Sequence, residues 1–170
     1  FILSSGGKVG DSICEPENLR DCQEILDQAK KNNVKIFLPI DVVVSKSFSN
    51  NDKQKEVGIH NIPDGWQGLD IGQQTREKFS DVVKQSNTIL WNGPMGVFEM
   101  SSFQNGTKAV ADAVADATKK GSFSLVGGGD SVAAVKKFNL KDKMSFISTG
   151  GGAMLESLEG KVLPGIKALQ

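Results

Sequence analysis

"LVGGGDSVAAV" spans residues 125–135 and joins an apolar run to a helical pattern through three consecutive glycines. A second junction of this kind, "FISTGGGAML", spans residues 146–155. Because glycine has no Cβ atom, a bound anion can approach its backbone closely. A helix that begins at such a turn presents unpaired N–H groups and about half a positive charge, which suits a phosphate. Both junctions are therefore candidate phosphate sites, and the simpler alternative is that the glycines only make tight turns.

Strand and helix patterns alternate along the rest of the chain. Apolar residues at three- and four-residue spacing predict helices, and short apolar runs bounded by turn residues predict strands. The predicted helices cover 15–33, 73–86, 101–120, 130–138 and 152–159, and the predicted strands cover 34–44, the start of 87–99, 122–126 and 144–148. Residues 49–57 are expected to form a loop or an edge hairpin. Residues 62–72, dense in Pro and Gly, are expected to form a structured turn.

This alternation predicts an α/β fold with three layers and a doubly wound, mainly parallel, Rossmann-like sheet. A length of 170 residues fits a single domain over residues 1–170. The 20 basic and 20 acidic side chains balance, which argues against a general nucleic-acid or membrane-surface binder. Cys14 and Cys22 are too sparse for a disulfide framework, so we expect reduced, unpaired thiols and a cytoplasmic protein. His60 is expected to be exposed and without a functional role.

Three predicted strands run directly into glycine-containing turns. Trp91 precedes "NGPMG", Val126 precedes "GGGD" and Ser148 precedes "TGGGA". In a sheet of this kind, ligands bind beyond the carboxyl ends of the strands. Neither glycine triplet has the GxxxxGK[ST] or the GxGxxG spacing. The pattern by itself therefore indicates a phosphorylated ligand and goes no further.

Acidic and hydroxyl side chains beside these turns allow two interpretations each. Asp130 would repel a phosphate unless a cation lay between them, and Mg²⁺ held by one carboxylate and nucleotide oxygens would resolve the conflict. Asp130 could instead cap a helix, or do both. Ser131 and Thr149 are equally open. Glu99 could hold ribose hydroxyls, although the pattern alone favours a solvated surface residue.

The segments "WNGPMGVFE", "GGGDS" and "STGGGA…LEGKVLPG", in this order and spacing, resemble phosphoglycerate kinase in its bacterial form. "LPIDVVV" and "IPDGWQGLDIG" resemble the same family, so the likeness runs over essentially the whole chain. The resemblance implies a glycolytic, two-domain enzyme that transfers a phosphoryl group between 1,3-bisphosphoglycerate and ADP with Mg²⁺. This chain would form most of the C-terminal, nucleotide-binding domain, truncated at its N-terminus. The resemblance also implies a monomer.

Other parts of the family's enzyme have no counterpart here. These are the N-terminal domain that holds 3-phosphoglycerate, the lysine motif Gly-Ala-Lys-Val-x-Asp-Lys and the Gly-Gly-Met segment. We therefore expect the isolated chain to supply the half-site for magnesium and ADP or ATP and to be inactive alone. A non-catalytic nucleotide-binding module and a purely structural relic are the alternatives.

The resemblance assigns roles to individual residues. The adenine and the rest of the nucleoside would contact Gly68, Leu69, Pro94 and Val97, and Glu99 would hold the ribose. The nucleotide phosphates would contact Asn92, Gly93, Gly129 and Ser131, and Asp130 would carry Mg²⁺. The transferring phosphoryl group would receive backbone N–H groups of Gly150, Gly151 and Gly152, which together with Gly129 form the candidate catalytic set. Departures from the family's pattern are Gln73, Phe146, Met154 and Ser157.

Overall fold

The computed structural model describes residues 1–169. Its helices and strands alternate in an α/β fold, as the sequence predicts. The strands are β1 (Lys8–Val9), β2 (Asp41–Ser45), β3 (Gln54–Gly58), β4 (Asn61–Ile62), β5 (Gln67–Ile71), β6 (Thr88–Asn92), β7 (Phe123–Gly127) and β8 (Phe146–Ser148). The α-helices are α1 (Leu19–Lys31), α2 (Gln73–Lys84), α3 (Asn105–Lys119), α4 (Gly129–Lys137), α5 (Gly151–Leu158) and α6 (Pro164–Lys167). Short 3-10 helices cover Leu3–Ser5, Pro16–Asn18, Ser101–Phe103 and Lys141–Lys143.

The chain divides into two compact units. The first unit contains residues 1–79 and 96–106, and the second contains residues 80–95 and the described residues from 107 onward. The chain passes from one unit to the other within α2, and again at each end of the segment 96–106. Each unit has its own sheets.

The first unit contains an antiparallel sheet in the order β3-β2-β5. All five residues of β2 are buried, because a central strand is covered by neighbours on both edges and by packing on its faces. Val42, Val44, Ile59 and Ile62 form one apolar cluster of this unit. Val43, Leu69 and Phe103 form another. β1 and β4 make a small parallel pair.

Two predictions for this unit are wrong. The strand predicted over 34–44 exists only as β2 from Asp41, and Val34, Phe37 and Ile40 before it are exposed. The stretch 62–72, predicted as a turn, contains β5, whose last three residues are buried. Segment 49–57, predicted as a loop or an edge hairpin, belongs to a hairpin, since β3 pairs antiparallel with β2. The sheet of this unit is thus antiparallel, whereas the sequence analysis expected mainly parallel pairing.

The second unit contains the parallel sheet that the sequence predicts, in the order β6-β7-β8. The helix α3 contributes buried apolar residues, with Val110, Ala113, Val114 and Ala117 all at most 5% exposed. These residues recur at three- and four-residue spacing, so one face of the helix is buried. Val126 of β7 and Val135 of α4 are fully buried in the same unit.

Several features expected from composition are present in the described part of the chain. Cys14 and Cys22 are free thiols, and His60 is exposed. Within residues 1–169, no helix has both the length and the apolar character that crossing a bilayer requires.

Candidate functional site

The three strands of the second unit end side by side. Asn92, the last residue of β6, pairs with Gly127 of β7, and Gly127 pairs with Ser148 of β8. Because the pairing is parallel, all three carboxyl ends lie at one edge of the sheet. The turns that follow the strands in the sequence predict this edge. The turns that carry the candidate phosphate residues of this unit therefore follow three adjacent strand ends.

The two triple-glycine turns contact each other through their backbones. A Cβ atom at Gly151 would lie 2.6 Å from the Cα of Gly128 and 2.7 Å from its nitrogen. Gly128 also has a φ of +89°, which side-chain-bearing residues rarely adopt. The close contact excludes a side chain at Gly151, and the positive φ disfavours one at Gly128. These two glycines are therefore needed for the turns to approach each other. The tight-turn interpretation is thus correct for Gly128 and Gly151, and it leaves Gly129, Gly150 and Gly152 to be explained.

These three remaining glycines are exposed, and they begin two helices. Gly129 is the first residue of α4, whereas Gly150 and Gly152 flank the start of α5. A Cβ atom at Gly129 or Gly152 would meet no heavy atom within 4 Å. Packing within the described residues therefore does not require glycine at either position. The Gly150 N–H donates to Ser148 Oγ at 3.3 Å. The first N–H groups of a helix have no partner inside the helix, and a contact between these glycines and a phosphate stays a prediction.

Asp130 lies exposed in the first turn of α4. The N-cap position is occupied by Gly128, and no side chain caps this helix. The alternative in which Asp130 serves as the N-cap is therefore wrong. A role for its carboxylate as a single-carboxylate Mg²⁺ ligand stays a prediction.

Ser131 has a different environment from the one predicted. It is fully buried, and its Oγ accepts the Gly93 N–H at 2.6 Å. The Gly93 carbonyl in turn accepts the Trp91 indole N–H at 2.7 Å. Gly93, with a φ of +100°, forms the turn that follows β6. The hydrogen bond to Ser131 attaches this turn to α4. This bond joins positions 38 residues apart, and nothing in the local sequence pattern could have predicted it. A contact between Ser131 and a phosphate stays a prediction.

Met154 lies on the first turn of α5 and covers the end of β7. A Cβ atom at Gly127 would overlap the sulfur and terminal methyl of Met154. The thioether therefore occupies the space above Gly127 where other side chains would lie. This residue is one of the departures from the family's pattern, and its contact gives it a packing role.

The nucleoside residues predicted in the first unit lie on β5 and the segment 96–106. Leu69 is 7% exposed and packs against Val43 and Phe103. Its carbonyl accepts the Val97 N–H at 2.9 Å. The Gly68 N–H donates to Ser12 Oγ at 2.9 Å. Glu99 is exposed on the same segment as Val97. Leu69 and Val97 are thus joined directly, while contact with a nucleoside stays a prediction.

Asp70 is a buried acidic residue to which the sequence analysis gave no role. It is 3% exposed and follows Leu69 on β5. Burial raises the pKa of its carboxyl to about 6, although hydrogen bonds from the N–H groups of Gly106 and Ile71 favour ionisation. The density of Pro and Gly around it indicated a turn, so no burial was expected.

The described residues contain no group of three or more His, Cys, Asp or Glu side chains placed to bind a metal together. Residues 1–169 therefore do not provide a metal site built from protein ligands alone. A Mg²⁺ ion that takes one carboxylate and several ligand oxygens needs no such group. Whether Asp130 forms such a site stays a prediction.

Comparison with known proteins gives a consistent result. The sequence model of the phosphoglycerate kinase family matches residues 1–161. The phosphoglycerate kinase structure from Coxiella burnetii superimposes with a TM-score of 0.92 at 43% sequence identity, over 99% of this chain. The phosphoglycerate kinase structure from Pyrococcus horikoshii superimposes with a TM-score of 0.82 at 33% identity, also over 99% of this chain. This chain spans 43% and 42% of the lengths of those two chains. With these motifs, this fold and these matches, the chain belongs to the phosphoglycerate kinase family.

Proposed function

We propose that this chain is the nucleotide-binding part of an enzyme that transfers a phosphoryl group between 1,3-bisphosphoglycerate and ADP, giving 3-phosphoglycerate and ATP. The observation that carries the proposal is the edge at which Asn92, Gly127 and Ser148 lie in register, with both glycine turns in contact behind it. Since the chain spans less than half of its matched relatives, the complete reaction is proposed for a longer protein. Residues 1–170 are proposed as most of one domain, inactive alone.

Phosphoryl transfer depends on alignment and on stabilising the charge of the moving group. We propose that the N–H groups of Gly129 at α4 and of Gly150, Gly151 and Gly152 at α5 supply this stabilisation. Asn92, Gly93 and Ser131 are proposed to complete the phosphate contacts, which for Ser131 and the Gly93 N–H requires that their mutual hydrogen bond opens when the nucleotide binds. None of these roles requires a side chain to gain or lose a proton. A catalytic acid or base is therefore not part of the proposal.

Asp130 is the residue proposed to hold Mg²⁺. Its exposed carboxylate in the first turn of α4, with the cap position occupied by Gly128, supports this assignment. When bound, the ion would neutralise charge on the phosphate oxygens. Without that neutralisation, the Asp130 carboxylate and the phosphates would repel each other.

The remaining contacts concern the nucleoside and the second substrate. Gly68, Leu69, Pro94 and Val97 are proposed to contact the nucleoside, with Glu99 accepting hydrogen bonds from the ribose hydroxyls. The family's second substrate, 3-phosphoglycerate or 1,3-bisphosphoglycerate, would bind to the rest of the longer protein. We propose a monomeric, cytoplasmic enzyme without a nucleic-acid or membrane partner.

A calorimetric titration with ADP, with and without Mg²⁺, tests the half-site in the 170-residue chain. The parent is expected to bind ADP in a magnesium-dependent manner, and Asp130→Ala is expected to lose that dependence. Asp142→Ala, which removes another exposed aspartate of the same unit, is the matched control and should bind as the parent does. Equal binding by Asp130→Ala and the parent would contradict the metal assignment.

An activity measurement on the full-length protein that contains this chain tests the reaction itself. ATP formation from 1,3-bisphosphoglycerate and ADP is expected, with Asp130→Ala slower by about 100-fold or more, since a metal supplies several kcal/mol of charge stabilisation. Magnesium-dependent ADP binding without turnover in the full-length protein would favour the non-catalytic nucleotide-binding module instead.

A further inference from the structure

Asp70 joins two distant parts of the first unit through hydrogen bonds. One carboxylate oxygen accepts the Gly106 N–H at 2.7 Å, and the other accepts the Ile71 N–H at 2.9 Å. Gly106 lies in the first turn of α3, so the carboxylate acts as a cap supplied by another element. At 3% exposure, Asp70 is not available to a ligand in solution.

The same carboxylate contacts both ends of one segment. A Cβ atom at Gly96 or at Gly106 would overlap the side chain of Asp70. These two glycines begin and end the stretch 96–106 that belongs to the first unit. One buried side chain therefore packs against the start of this segment and accepts a hydrogen bond from its end.

The segment held in this way carries two of the predicted nucleoside residues. Val97 is bound to the Leu69 carbonyl, next to Asp70. Phe98 and Phe103 are buried, and Phe103 packs against Leu69. Glu99 is exposed and its backbone belongs to the same segment. A shift of either end of the segment would move Glu99 and Val97 together.

We propose that Asp70 is a positioning residue that places Val97 and Glu99 for the nucleoside of ADP by anchoring both ends of segment 96–106. The proposal rests on the proposed function, because it concerns the same nucleotide. Asp70 is buried and is not proposed to touch the nucleotide or the metal, so it acts through Gly96 and Gly106. Its effect is therefore confined to the nucleoside part of the ligand.

The test compares ADP with pyrophosphate, which carries two phosphates and no nucleoside, both titrated with Mg²⁺ into the full-length protein. Asp70→Asn keeps the size of the side chain but directs an NH₂ group at one of the two N–H donors. We expect its dissociation constant for ADP to rise about tenfold and that for pyrophosphate to stay unchanged. Asp41→Asn is the matched control, since Asp41 is a buried aspartate that binds the first turn of α2. It should change neither constant.

A double substitution identifies the residue through which Asp70 acts. In the Glu99→Gln background, Asp70→Asn should weaken ADP binding less than it does in the parent, because coupled residues are not additive. If Asp70→Asn does not fold, Gly96→Ala replaces it, since the added Cβ displaces the carboxylate from one end of the segment. The same selective loss of ADP binding is then expected.

The outcomes separate this proposal from the proposed function. If the parent binds ADP and Asp70→Asn binds it equally well, or loses ADP and pyrophosphate to the same extent, the positioning role is overturned and the nucleotide site stands. If the parent binds neither ligand, the proposed function fails, and the positioning role fails with it.

Discussion

Two buried aspartates of the first unit make similar hydrogen bonds but have opposite pKa shifts. Burial raises the pKa of Asp70 from 3.8 to about 6, and Arg76 and the N–H groups of Gly106 and Ile71 only partly oppose it. Burial also acts to raise the pKa of Asp41, but hydrogen bonds from Thr75 and Gln74 outweigh it and the pKa is lowered. Burial weighs more heavily on Asp70, and Asp41 accepts three hydrogen bonds where Asp70 accepts two, so the two shifts have opposite signs.

These shifts predict opposite pH dependences of stability. The native-state pKa of Asp70 exceeds its unfolded value, so the native state binds the proton more tightly and stability increases as pH falls from 7 towards 4. Relative to Asp70→Asn, the parent should gain up to roughly 3 kcal/mol of unfolding free energy over that range. Urea unfolding at several pH values measures the difference. Glu56 and Arg76, the charged neighbours of Asp70, are present in both proteins.

Asp41→Asn is expected to show the opposite pH dependence of stability. A lowered native pKa means that the Asp41 carboxylate stabilises the fold above pH 3.8 and loses this contribution as pH falls further. The advantage of the parent over Asp41→Asn should therefore shrink below about pH 4. Parallel pH profiles for the two variants would show that the two environments do not differ as described.

At the scale of elements, the contact between the two triple-glycine turns distinguishes glycines that pack from glycines that do not. Gly151 approaches the backbone of Gly128 so closely that a Cβ atom has no room, whereas Gly152 faces open space. Both lie in the first turn of α5. Adjacent positions of one helix thus carry different constraints, although the sequence shows only three identical letters.

Alanine substitutions at these two positions should give different stabilities. Gly151→Ala must push backbone against backbone and is expected to lower the unfolding free energy by about 1–3 kcal/mol. Gly152→Ala should leave it unchanged or raise it by up to about 1 kcal/mol, because alanine favours a helix over glycine. Thermal unfolding followed by circular dichroism compares the two. Equal destabilisation would mean that the turns do not touch as closely as described.

At the scale of the whole molecule, one face of the parallel sheet is apolar and open. Leu90, Leu125 and Phe146 are cross-strand neighbours in register, and Phe123 lies on the same face two residues before Leu125. We call these four residues the apolar row. Phe123 and Phe146 are 52% and 59% exposed. Parallel sheets in α/β proteins are normally covered on both faces, and exposed apolar patches favour association.

The 170-residue chain is therefore expected to self-associate through the apolar row. Sedimentation should show an average mass that increases with concentration, and the double variant Phe123→Ser and Phe146→Ser should reduce that increase. Ile13→Ser, which removes a fully exposed apolar side chain of the first unit, is the control and should associate as the parent does. A parent that stays monomeric at all concentrations would contradict the prediction.

The sequence alone determined the features that depend on local spacing. Helical periodicity predicted α3 and α4 to within a few residues, and the glycine turns indicated which strand ends would form the candidate phosphate edge. The order of the motifs also determined the family. These signals are short-range, because a helix, a turn or a motif is encoded within about ten to twenty consecutive residues.

Only the tertiary structure decided which segments find partners. Residues 34–40 are apolar enough for a strand but pair with none in the described chain. Residues 67–71, inside the Pro- and Gly-dense stretch 62–72, become β5 because they pair with β2. The Ser131–Gly93 bond joins positions 38 residues apart, and the Asp70–Gly106 bond joins positions 36 residues apart. A strand exists only through hydrogen bonds to another strand, and a buried carboxylate only through donors that the fold brings to it. Local sequence carries no record of either partner.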